Sequence, residues 1–107
     1  MNSIIYPIIV YDNGDLLIFE SNRIAESYLE PIDIDVYTAY DCKGHLLKLM
    51  IQNNRVIIQL AEREPNHINE LRQILIGFML RLGVQSDWLS NASLQDLIIK
   101  SLEYKTQ

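Results

Sequence analysis

A chain of 107 residues, 49% apolar and 21% charged, has the length of one ordinary domain and the make-up of a globular protein rather than a disordered one. Its net charge of −5 at pH 7 works against direct binding of nucleic acid or of anionic membranes. A single cysteine, Cys42, excludes an intramolecular disulfide and fits a reducing, cytoplasmic location.

Residues 1–11 are apolar, but they lack the basic start and small-residue cleavage site of an export signal, and Pro7 and then a charged turn interrupt them. From Ser3 to Tyr11 the Ile, Val and Tyr content predicts a strand, with Pro7 marking an edge or a bulge. Asn13-Gly14 between two apolar runs is a strong hairpin signal, so Leu16 to Phe19 is the returning strand. Ser21 caps a short helix to about Leu29, with Ile24, Ala25, Tyr28 and Leu29 on one face and Arg23, Glu26, Ser27 and Glu30 on the other. Pro31 stops it.

From Ile32 to Asp41 apolar and polar residues alternate, which predicts a strand whose face carries Asp33, Asp35, Tyr37 and Asp41. Turns at Cys42-Lys43-Gly44 and Asn53-Asn54 then bound strands at His45 to Ile51 and Arg55 to Ala61, completing an antiparallel meander. After Pro65 the period becomes helical. Asn66 is a candidate cap, Ile68, Leu71, Ile74, Leu75, Phe78, Met79 and Leu82 form the stripe, and Gly83 ends it. Ile76, Gly77 and Leu80 widen that stripe, and a last helix opened by Ser93 and running to about Tyr104 is expected to cover them. Trp88 falls in the linker between the two helices. The expected architecture is a single α+β domain: a five-stranded, mainly antiparallel sheet with two C-terminal helices packed on one face.

Chemistry is hard to place on this chain. Cys42 and His45 flank a turn without a visible orienting group, and a third metal ligand is equally lacking. His67 reads as a solvated residue in the first helical turn. Asp12-Asn13-Gly14-Asp15 has strands, not helices, on both sides, so it is a hairpin turn and not a calcium loop. The four glycines are isolated, which leaves no phosphate loop, and Asn91-Ala92-Ser93 is a glycosylation sequon without an export signal. A non-enzymatic protein with no catalytic residues, no metal and no cofactor is expected.

The charge is unevenly spread. Residues 1–41 hold eight acids against one base, Arg23, and residues 42–107 hold six acids against eight bases. Several acids sit where local physics disfavours them: Glu26 and Glu30 are four apart on a helix, Glu30 lies at the negative end of the helix dipole, and Asp12 faces Asp15 across a tight turn. Glu26, Glu30, Asp33, Asp35 and Asp41, with Tyr37 among them, are therefore the candidate partner-binding residues for a basic protein surface. The stretches YPIIVYDNGDLLIFES, AESYLEPIDID and AYDCKGHLLKL, within residues 6–50, resemble small bacterial immunity proteins encoded beside polymorphic or contact-dependent toxins. That resemblance implies a cytoplasmic inhibitor that covers a toxin domain's active site. The alternative expectation is an adaptor or regulatory domain that forms a homodimer through the apolar long helix.

Overall fold

The computed structural model describes residues 3–105, so Met1 and Asn2 of the first apolar stretch lie outside the described residues. Strands β1 (Ile8–Asp12) and β2 (Asp15–Phe19) form the hairpin, with Asp12 opposite Asp15 and positive φ at Asn13 and Gly14. Pro7 precedes β1 instead of interrupting it, because the strand begins only at Ile8. Helix α1 (Asn22–Tyr28) follows, and its Ser21 hydroxyl accepts from the Ile24 N–H. Strands β3 (Tyr37–Tyr40), β4 (Leu46–Gln52) and β5 (Arg55–Leu60) make the meander, giving one antiparallel sheet in the order β2-β1-β3-β4-β5. Helices α2 (Ile68–Arg81), α3 (Ser86–Asn91) and α4 (Leu94–Ser101) close the chain, α4 being capped by Ser93. The fold is α+β, as expected.

Residues Pro31–Val36 depart from the expected strand and form a 3-10 helix. Pro31 occupies the first turn, where its fixed φ suits a helix, and the Asp33 N–H donates to the Glu30 carbonyl. Two aspartates in six residues disfavour a strand, and an alternation this short cannot by itself choose between periods. The linker around Trp88 is helix α3, two turns too brief for a periodic signature. At the start of α2 the cap position is His67, not Asn66.

Helix α1 crosses one face of the sheet from the β2 edge to the β5 edge: Asn22, three residues beyond β2, donates through Nδ2 to the Ile58 carbonyl of β5 at 3.3 Å, and the Ile58 N–H donates to Glu26 Oε2 at 2.8 Å. On that face lie Ile8, Val10, Leu17, Phe19, Ala39, Leu47, Val56 and Ile58, closed over by Ala25 and Leu29 of α1. The opposite face carries Ile9, Leu16, Ile18, Tyr40 and Cys42 against Leu71, Leu75, Phe78 and Met79 of α2 and Leu97 and Ile98 of α4. Each large side chain so buried contributes roughly 1.5–3 kcal/mol. Helices thus cover both faces, α1 on one and the three C-terminal helices on the other.

The wide stripe of α2 is only partly covered. Ile76 is half-buried against the core, whereas Leu80 keeps 46% of its surface and Leu82 and Ile68 are also exposed. Among the described residues, no helix is long and apolar enough to cross a membrane.

Candidate protein-binding surface

The six residues proposed from sequence separate into two groups. Asp41 is not a surface acid. It is fully buried at the end of β3, where Oδ1 accepts from the Lys43 and His45 N–H groups, both at 3.0 Å. Its Oδ2 accepts from the Ile5 N–H at 3.1 Å and from His45 Nδ1 at 2.9 Å. The carboxylate thus ties the N-terminal segment to the β3–β4 turn, which is an Asp's ordinary work beside a turn carried into the interior. Glu26 is likewise turned inward, because a carboxylate one helical turn beyond Asn22 is placed to serve the β5 edge. In exchange, Ile24 and Tyr28 face solvent, Tyr28 lying against Phe19 at 5.4 Å between ring centroids.

Glu30, Asp33 and Asp35 are exposed, and Tyr37 is half-buried behind them. The Tyr37 hydroxyl accepts from the Glu30 N–H at 3.2 Å, which joins the end of α1 to the start of β3. Burial pushes the Tyr37 pKa up; the Glu30 N–H opposes the rise, and the charges of Asp33, Asp12 and Glu30 add to it. Those three carboxylates therefore share one electrostatic neighbourhood. Asp12 was not among the residues proposed from sequence, although it pairs with Tyr37 in the β1–β3 register and opposes Asp15 in the hairpin. Among the described residues none of Asp12, Asp15, Glu30, Asp33 and Asp35 is ion-paired; the three ion pairs use Asp41, Glu62 and Glu103.

The 3-10 helix rearranges its acids. With three residues per turn, Asp33 aligns with Val36 and Ile32 aligns with Asp35, so the two aspartates do not share the face that a strand would have given them. Ile32 is 89% exposed and Val36 is 52% exposed. Each apolar side chain therefore stands in line with an acid. Sequence reasoning missed both, since strand alternation placed them inward; the sign that was present is Pro31 opening a helical turn.

Comparison with family models, curated proteins and solved structures finds no match to this chain. The reading of the surface rests on its geometry.

The remaining polar clusters tie loops and helices to the sheet. Cys42 is buried and its thiol pKa is raised, by burial first and then by the Asp41 charge, which holds it as the neutral thiol. His67 is half-buried rather than solvated: its N–H donates to the Gly44 carbonyl at 3.0 Å and its Nδ1 lies 2.9 Å from Glu62 Oε2. Tyr40 donates to Glu70, and burial together with that bond raises its pKa. Glu62 also accepts from the Leu46 N–H at 2.8 Å and the Asn66 N–H at 3.2 Å. Desolvation alone would raise the Glu62 pKa, but the Leu46, His67 and Asn66 hydrogen bonds and the His67 charge outweigh it and hold it below the ordinary value. A lowered folded-state pKa gives stability that is present above the unfolded value of about 4.3 and is lost as pH falls through the folded one. Acid titration should therefore loosen the β5–α2 loop within that window. The Leu46 and Asn66 amide resonances report it, and Glu62→Gln should remove this part of the pH dependence.

Proposed function

We propose that this chain is a non-enzymatic binding protein that meets a basic protein partner with the surface around Tyr37, as an immunity-type inhibitor meets a toxin domain. The observation that carries this reading is the 3-10 helix Pro31–Val36, which holds Ile32 and Val36 in solvent among Glu30, Asp33 and Asp35. Leaving Ile32 exposed forgoes up to about 2–3 kcal/mol of burial. Exposed apolar side chains framed by charge are the make-up of an interface, in which the apolar contact supplies affinity and the acids supply steering. The resemblance over residues 6–50 points the same way.

The test uses the protein encoded immediately beside this chain as the candidate partner. Reversing charge at Glu30, Asp33 and Asp35 to lysine should slow association at least about tenfold at low salt, with the difference shrinking as salt screens it. Ile32→Ala should instead raise the dissociation rate by about tenfold. Unaltered association in the triple variant, with the fold intact by circular dichroism, would remove this surface from consideration. A second reading, a homodimer formed through the helical layer, draws on the exposure of Leu80 at 46% and Ile99 at 62%. Sedimentation decides it: a dimer dissociated by Leu80→Glu favours the second reading.

A further inference from the structure

The 3-10 segment Pro31–Val36 has little of its own to hold it in place. None of its six side chains is buried, and only Pro31 and Ile34 are half-buried. It carries two aspartates directly after Glu30, and like charges this close repel one another. Hydrogen-bond geometry is also poorer in a 3-10 helix than in an α-helix, and runs beyond three or four residues are uncommon. The backbone bonds from the Asp33 N–H to the Glu30 carbonyl and from the Tyr37 N–H to the Ile34 carbonyl each close a single turn. Neither spans the segment. Yet this is the stretch that sets Ile32 and Val36 in solvent among Glu30, Asp33 and Asp35.

One hydrogen bond does span it. The Tyr37 hydroxyl accepts from the Glu30 N–H at 3.2 Å, which joins the residue before the segment to the residue after it. Among the described residues no other hydrogen bond joins those two ends. The hydroxyl is well anchored: Tyr37 begins β3, pairs with Asp12 of β1, and packs its ring against the buried cluster that holds Leu29, Leu47 and Val56. The other end is anchored too, since Leu29 is buried and its N–H donates to the Ala25 carbonyl at 2.9 Å. The bond therefore closes a loop between two fixed points.

We infer that Tyr37 is a positioning residue of the partner-binding surface: its hydroxyl holds the Pro31–Val36 segment preset in the conformation that presents Ile32, Val36 and the acids, and the ring is not itself the contact. That role rests on the reading of this surface as the binding site. A surface held in its bound form before the encounter avoids the cost of ordering on binding. Without the clasp, only molecules whose segment happens to be closed can dock, so association slows by that fraction while the formed complex dissociates as before. Loss of a direct contact behaves the other way and appears in dissociation. The two rates thus separate positioning from touching.

The test is Tyr37→Phe, which keeps the ring and its packing and removes only the acceptor. In the free ¹⁵N-labelled chain the Glu30 amide should exchange at least about tenfold faster, with Asp33 following and the β1 and β5 amides unmoved. Against the protein encoded immediately beside this chain, association should slow about threefold to tenfold, and dissociation should change less than about twofold. An unchanged Glu30 amide, an unchanged association rate, or a loss confined to dissociation would each overturn the inference. Reversing charge at Asp33 and Asp35 with Tyr37 intact keeps it apart from the reading it rests on. If the reversal slows association and Tyr37→Phe does not, the surface stands and the clasp fails. If the reversal leaves association unaltered, the surface itself fails, whatever Tyr37→Phe does to the amides.

Discussion

Asp41→Ala should cost the fold about 3–5 kcal/mol and lower its melting temperature by roughly 12–20 °C. The reason is arithmetic on donors. Removing one fully buried carboxylate strands the N–H groups of Ile5, Lys43 and His45 and the Nδ1 of His45 at once. Water cannot reach all of them where the side chain was. Asp41→Asn should recover about half of the loss, because its oxygen can still accept from Lys43 and His45 while its amide faces the Ile5 N–H, donor against donor. Urea unfolding of the two variants measures both numbers. A partner's affinity for the folded fraction should be unmoved, which separates this residue from Asp33 and Asp35.

Gly44→Ala should be nearly as costly, at about 2–5 kcal/mol. Two terms add. The residue has φ of +94°, which an L side chain resists by about 1–2 kcal/mol. An added Cβ would also sit 2.6 Å from Ile68 Cγ1 and 2.9 Å from Ile68 Cα, at the first turn of α2, where the backbone cannot yield without breaking the His67 N–H bond to the Gly44 carbonyl. Gly14 provides the control. It has a similar φ of +103°, but nothing lies within 4 Å of its added Cβ, so Gly14→Ala should show the backbone term alone. The difference between the two melting shifts measures the clash. Equal shifts would mean that the β3–β4 turn and α2 are not held together as described.

Much of the fold was legible because its signals are local. Asn13-Gly14 announces the hairpin, Ser21 and Ser93 announce their helices through the side-chain bonds they then make, and the period of α2 picks out Leu71, Leu75, Phe78 and Met79. What escaped depends on partners far along the chain. Glu26 looks like a surface acid until Ile58, thirty-two residues on, lies beside it. Asp41 reads as a turn residue, and it is one, but only the return of Ile5 over it makes it an interior residue. Of the proposed surface, Glu30, Asp33, Asp35 and Tyr37 remain outward or adjacent, and Asp12, Ile32 and Val36 join them through register and helical pitch.

The bridge that α1 makes between the sheet's edges bears on how the chain assembles. As the polypeptide emerges from the ribosome, residues 22–28 are synthesised early, but Val56 and Ile58, against which Ala25 and Leu29 pack, arrive some thirty residues later. Until then the helix lacks the strand it chiefly packs on, and seven residues alone are too few to stay helical in water. The hairpin should mature first and this helix among the last, so a nascent chain halted before Arg55 would carry an unlatched, unpaired edge prone to self-association.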